Sequence, residues 1–122
     1  MKRILVVDDN DDILEVLRYI LEDSGYMVDT LAEGQYLFDT IKEHTPDLIL
    51  LDIMLGNMDG RILCKQIKNR KELCHIPVIM VSASHNIAET LKRDGPDDFV
   101  AKPFDLNVLL NAIHTQLTLA AA

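Results

Sequence analysis

Between Pro46 and Asp52 the chain reads P-D-L-I-L-L-D, with four apolar residues in succession, Leu48 to Leu51, between two acids. An apolar run of this length without polar alternation is the pattern of a strand buried on both faces, as in a parallel sheet. The run ends on a carboxylate, Asp52. Open α/β sheets form their ligand crevice outside the carboxyl ends of the strands, so Asp52 stands where such a crevice would lie. Taken alone, the residue serves equally well as a solubilising strand cap.

The same pattern recurs along the chain. Ile4 to Val7 is an apolar run closed by Asp8 and Asp9; Val78 to Val81 follows Pro77 and closes at Ser82; Asp97 to Ala101 closes at Lys102-Pro103. Tyr26 to Leu31 is a further strand candidate. Helical spacing fills the intervals. Ile13, Leu14, Leu17, Ile20 and Leu21 form one apolar stripe, opened by Asn10 or Asp11 as cap and stopped at Ser24-Gly25. Glu33 to Glu43 places Leu37 and Ile41 on one face, and Arg61 to Arg70 does so with Leu63 and Ile67. Asn86 to Arg93 gives a short, weak helix, and Asp105 caps a last one carrying Leu106, Leu109, Leu110, Ile113 and Leu117. Gly56 to Gly60 are expected to be a polar loop. Five strands alternating with five helices imply an α/β domain with a parallel sheet covered on both sides. A chain of 122 residues holds one such domain, here 1–119, with 120–122 as a tail.

Composition narrows the function. Twenty acids against twelve bases give a net charge of -8, which leaves no basic footprint for direct nucleic acid binding. The charge suits a carboxylate site that recruits a cation. Cys64 and Cys74 match no metal or redox spacing and are expected to be reduced, buried thiols of a cytoplasmic protein. The apolar run after Lys2 and Arg3 is too short for a secretory leader. No segment approaches the roughly 18 apolar residues of a membrane span.

In a parallel sheet the carboxyl ends of the strands share one edge. Asp8 and Asp9, Asp52, Ser82 and Lys102 therefore converge on one crevice. Clustered carboxylates repel one another, and a hard divalent cation relieves the repulsion. Mg2+ fits best, because it takes oxygen ligands and works beside phosphoryl oxygens. Lys102 adds a second positive charge and Ser82 a short donor, which is equipment for stabilising a transferring phosphoryl group. Asp11 and Asp12 fit helix capping. His44, His75, His85 and His114 are scattered over loops and helix surfaces and are expected to be neither ligands nor phosphodonors.

These residues resemble a receiver domain of a two-component response regulator. The matching segments are V-V-D-D-N, L-I-L-L-D-I-M, M-D-G, I-P-V-I-M-V-S-A and D-D-F-V-A-K-P-F, in order from about Lys2 to Leu117. The resemblance implies a flavodoxin-like, doubly wound five-stranded parallel sheet of order 2-1-3-4-5. It implies that Asp52 is the phosphoacceptor, served by a histidine kinase or histidine phosphotransfer protein, and that Ser82 and Lys102 hold phosphoryl oxygens. Asp9 would bind Mg2+ directly, Asp8 mainly through water, and the Met54 carbonyl would be a further ligand. Phe99 would be an aromatic switch coupled to Ser82, with output through the fourth helix, fifth strand and fifth helix to an unknown partner or domain. The Lys102-Pro103 peptide would be cis. Met54 and Ser84, each two residues beyond a site residue, would tune phosphoryl lifetime.

Three departures from the family pattern stand out. The segment from Ser82 to Gly95 is about two residues short, Gly95-Pro96 replaces the usual Gly-Ala, and Gly56 stands where many relatives have proline, which would loosen that loop. Other functions fit less well. An aspartyl-nucleophile phosphatase would need a cap or substrate pocket. A flavin or nucleotide binder would need a phosphate cradle where D-D-N-D-D stands. A pseudo-receiver that only binds partners would not need the acids and lysine. The expectation is thus a signalling switch rather than a turnover enzyme, with no membrane association.

Overall fold

A computed structural model describes residues 1–83 and 95–121 of the chain. The expected helix over 86–93, together with Ser84 and His85, lies outside the described residues.

Among these, β1 (Arg3–Val7), β2 (Met27–Leu31), β3 (Leu48–Asp52), β6 (Val78–Ser82) and β7 (Asp98–Ala101) form one sheet in the order β2-β1-β3-β6-β7. All four pairings are parallel. Counting only these five strands, the order is 2-1-3-4-5, as expected. The unbroken apolar runs are explained by the two cores they serve. Leu5, Val7, Ile49, Leu51, Val78, Met80 and Phe99 point to one face, where they pack with Leu37, Ile41, Leu63 and Ile67. Ile4, Val6, Leu48, Leu50, Ile79, Val81 and Val100 point to the other, with Leu14, Leu17, Leu21, Leu109 and Ile113. Successive strand residues face opposite ways, so a strand covered on both sides has no polar position to spare. Each buried aliphatic side chain contributes about 1.5–3 kcal/mol.

The first core is covered by α2 (Leu37–Glu43) and α3 (Gly60–Lys68), the second by α1 (Asp11–Asp23) and α4 (Leu106–Ala121). Asn10 is the cap of α1: its side-chain oxygen accepts from the amides of Asp12 at 2.9 Å and Ile13 at 3.3 Å. Asp105 does the same for α4, accepting from Asn107 at 2.7 Å and Val108 at 3.3 Å. Helix α4 runs to Ala121, so the segment from 120, expected to be a tail, continues the last helix.

Several local expectations change. The stretch 33–43 opens with a 3-10 turn, Gly34–Tyr36, before α2 begins at Leu37. Gly34 is buried so closely under α3 that an added Cβ would stand 2.9 Å from Leu63 Cδ1. The expected loop after β3 is a small antiparallel hairpin, β4 (Met54–Leu55) with β5 (Met58–Asp59), turning at Gly56-Asn57. Gly56 does not loosen it. Its φ of +61° is the left-handed value the tight turn requires, and proline cannot adopt it. Cys64 is buried as expected, but Cys74 is exposed. The turn after α3 aims Leu73 and Ile76 into the core, which leaves the thiol of Cys74 outside. The proline at 96 removes one donor, and pairing resumes at the next residue, where the Asp97 amide donates to the Val78 carbonyl at 2.8 Å.

Candidate functional site

The carboxyl edge of the sheet gathers the expected residues. Asp52 is the last residue of β3 and Ser82 the last of β6; Asp8 and Asp9 follow β1, and Lys102 follows β7. Asp8, Asp52 and Ser82 are 3%, 7% and 4% exposed, whereas Asp9 lies open to solvent. The Lys102 ammonium lies between the two buried acids, donating to Asp8 Oδ2 at 2.8 Å and to Asp52 Oδ2 at 3.2 Å. The Lys102 amide donates to the Ser82 carbonyl at 2.8 Å, which ties its backbone to β6, and its peptide to Pro103 is cis, as expected.

Each acid is also held from its other side. Asp8 Oδ1 accepts from the Asn10 amide at 2.9 Å, and Asp52 Oδ1 faces the Met54 amide at 3.4 Å. Asp9 Oδ2 accepts from the Gly56 amide at 3.0 Å. That bond excludes proline at this position, because a proline would have no N–H to offer.

Burial, reinforced by the neighbouring Asp8 charge, pushes the Asp52 carboxyl above its ordinary value; Lys102 offsets this only in part. Burial also works against the Lys102 ammonium, but its bonds to Asp8 and Asp52 outweigh that and hold its proton above the ordinary lysine value. One oxygen from each of Asp8, Asp9 and Asp52 lies within 4.8 Å of the others. Among the described residues Lys102 is the one cation paired with this cluster, through Asp8 and Asp52, so the acids outnumber it, and all the potential ligand atoms are oxygens. That set fits a hard divalent cation.

The other expected residues are placed as follows. Ser82 is the last residue of β6, paired with Ala101, so its backbone is committed to the sheet. Met54 opens the hairpin with its side chain 73% exposed on the lip of the site. Phe99 is 9% exposed and packs in the core beneath α2 and α3, level with Met80 on β6. Ser84 lies outside the described residues. The site opens into a cleft of about 840 Å³, whose walls include Asp9, Asp52, Ser82 and Lys102, and also Asp59 and Arg61. Sequence reasoning passed over these last two. The signal was present: Asp59 caps α3, its Oδ1 accepting from the Arg61 amide at 2.9 Å, and a cap at Asp59 sets Arg61 in the first turn, beside the strand ends.

The fold and the strand-end acids define the molecule as a flavodoxin-like, doubly wound domain with an acidic site at its carboxyl edge. The profile of the response regulator receiver domain matches residues 4–114, and the chain belongs to that family. It is 38% identical over 125 residues to the alkaline phosphatase synthesis transcriptional regulatory protein PhoP of Bacillus subtilis (strain 168), covering 98% of this chain and 51% of that protein. It is 34% identical over 119 residues to the phosphate regulon transcriptional regulatory protein PhoB of Rhizobium meliloti (strain 1021), covering 96% of this chain and 52% of that protein. The chain thus spans about half the length of these curated relatives. A CheY-like response regulator receiver domain protein of Methanospirillum hungatei JF-1 superposes with a TM-score of 0.90 at 30% identity, over 99% of this chain and 97% of that one.

Proposed function

We propose that this receiver domain is a phosphoacceptor switch, in which Asp52 takes a phosphoryl group from the phosphohistidine of a histidine kinase or phosphotransfer protein. The observation that carries the reading is the Asp52 carboxylate at the end of β3, with the Lys102 ammonium on its Oδ2. Lys102 takes one oxygen and leaves Oδ1, 3.4 Å from the Met54 amide, as the less engaged nucleophile. As the Oδ1–P bond forms, the N–P bond of the donor breaks, and the imidazole nitrogen keeps the electron pair and takes a proton from solvent. Lys102 and the Ser82 hydroxyl hold the phosphoryl oxygens. Asp9 and Asp52, the Met54 carbonyl, and Asp8 acting through water would hold Mg2+, which supplies positive charge beside the phosphoryl group.

The domain acts on itself once per signal and is not a turnover enzyme. Its setting is the cytoplasm. Met54 offers no base at the lip of the site, so the phosphoryl group is slow to hydrolyse, and Met54→Asn changes the decay rate several-fold. Output runs through the helix expected over 86–93, β7 and the last helix, α4. Ser82 pairs with Ala101 and Met80 with Phe99, which supports a route from the phosphoryl group across β6 to β7. Phe99 is already inside, so phosphorylation biases an existing arrangement rather than drawing the ring in from solvent.

The test is incubation with acetyl phosphate and magnesium, followed by intact-protein mass. One phosphoryl group is expected on the wild type and none on Asp52→Asn. Equal labelling of Asp52→Asn would overturn the assignment.

A further inference from the structure

Of the basic residues among the cleft walls, Lys102 is partly buried and paired with Asp8 and Asp52, while Arg61 stands half-exposed at the mouth. The Arg61 guanidinium lies against Asp59 as a fork. Its Nε donates to Asp59 Oδ1 at 3.1 Å and Oδ2 at 3.2 Å, and Nη2 donates to Oδ2 at 2.8 Å. Asp59 is itself positioned by its capping bond to the Arg61 amide, so the fork is held over the first turn of α3 rather than swinging through solvent.

The approach to this cleft is electrostatically unfavourable for a phosphodonor. The chain carries a net charge of -8, and the cleft walls include Asp9, Asp52 and Asp59. A phosphoryl donor is an anion. Steering charges at the mouth of a cleft change encounter rates by roughly 10- to 1000-fold, and most strongly at low ionic strength. A guanidinium matches two phosphoryl oxygens with the same planar fork it offers a carboxylate.

The geometry points to Arg61 as a donor-binding residue: on encounter it exchanges its fork from Asp59 to two phosphoryl oxygens of an incoming donor, and so favours dianionic phosphoryl donors. The inference rests on the phosphoacceptor reading of Asp52 and names a donor class for it. With acetyl phosphate, Asp52 Oδ1 forms the new bond to phosphorus, the P–O bond to the acyl group breaks, and acetate leaves with the electron pair. Asp59 tempers the exchange, because its carboxylate competes with the donor for the fork.

That competition gives the two partners opposite signs. Arg61→Ala removes the receiver of the donor, whereas Asp59→Asn removes the competing carboxylate at residue 59. Asparagine caps a helix as well as aspartate does, so Asp59→Asn keeps the start of α3. Phosphorylation rates with acetyl phosphate are to be measured in magnesium buffer at low and high salt. Arg61→Ala is expected to be slower by roughly ten-fold at low salt, with the gap closing as salt rises. Asp59→Asn is expected to be faster than wild type. Phosphoramidate, whose protonated amine lowers its net charge, should show a smaller effect. Equal rates for Arg61→Ala and wild type at low salt, or slowing by Asp59→Asn, would overturn the role. Inorganic phosphate gives a readout independent of acceptor chemistry: its titration should shift the Arg61 Nε–H NMR signal, and a signal unmoved at saturation also overturns it. A wild type that takes up no phosphoryl group while the Arg61 signal still shifts would instead sink the Asp52 reading and leave the anion site standing.

Discussion

The two ends of the sheet treat charge in opposite ways. At the amino edge, ions are matched. Arg3 Nη1 meets Asp29 Oδ2 at 2.7 Å, and the Arg3 amide donates to Asp47 Oδ2 at 2.7 Å. Lys68 Nζ closes the other side, donating to Asp97 Oδ2 at 2.7 Å and to the carbonyls of Ile76 at 2.8 Å and Cys74 at 3.3 Å. Asp97 Oδ2 also accepts from the Val78 amide at 2.8 Å, so one lysine ties α3, the turn after it, β6 and the entry to β7 together. At the carboxyl edge, Asp8, Asp9 and Asp52 cluster together, and among the described residues Lys102 is the one lysine paired with them, through Asp8 and Asp52. The amino edge stabilises the fold whatever is bound, whereas the carboxyl edge is held short of neutrality and responds to whatever supplies positive charge.

Removing the shared cation should break this contrast most severely. Lys102→Met leaves Asp8 and Asp52 buried face to face, and the expected loss is about 3 kcal/mol at neutral pH with divalent ions chelated. The raised Lys102 proton affinity contributes stability that is fully present below 10.5 and lost as pH rises through its higher folded value. The deficit of the variant should therefore shrink at both extremes: in strong alkali, where wild-type Lys102 itself deprotonates, and in acid, where Asp52 protonates. Urea melts across pH read this directly, and a pH-independent deficit would contradict the shared-cation picture.

Lys68→Met should cost about 2 kcal/mol, by leaving the part-buried Ile76 carbonyl and the Asp97 carboxylate without their ammonium. Unlike the carboxyl-edge variant, it should recover nothing on adding magnesium. Asp52→Asn is expected to go the other way and stabilise the domain by about 1 kcal/mol at neutral pH, because it removes a buried charge whose neighbour is another acid. The sign follows from the raised Asp52 carboxyl. The folded state holds that proton more tightly than the unfolded chain, so stability falls as pH rises from 3.8 through the folded value. The advantage of Asp52→Asn should thus be absent in acid and full above that window. Asp9→Ala should be the gentlest, within about 0.5 kcal/mol of wild type without metal, since its side chain is exposed. It should nevertheless erase the rise in Tm expected for the wild type with magnesium, and an undiminished rise would put the ion elsewhere.

How much of this the sequence disclosed depends on the range over which each feature is decided. The strands were legible because burial on both faces leaves an unbroken apolar run, and the site because four such runs end in polar residues at one edge. The caps at Asn10 and Asp105 were legible because they act over two or three residues. The hairpin at 54–59 was not, since two-residue strands carry no periodicity and their pairing is stabilised by the bond from Gly56 to Asp9, 47 residues away. The exposure of Cys74 depends on which way a turn faces, which composition does not encode. Lys68 looked like any lysine at the end of a helix, and its three partners become neighbours only when β6 and β7 are paired. Arg61 lay behind a cap that was itself missed.

Gly60 opens α3 directly beneath β3, the strand that ends on the proposed phosphoacceptor. Its amide donates to the Ile53 carbonyl at 2.6 Å, and a Cβ built on it would collide with the backbone carbonyl oxygen of Asp52. The obstacle is main chain, so no side-chain rotation relieves it. A library randomised at this one codon and selected for signalling should return glycine alone. Even alanine, harmless in most first helical turns, would push aside the peptide that aims the Asp52 carboxylate, so the smallest possible enlargement here would register as a defect in phosphorylation before it registered as a defect in folding.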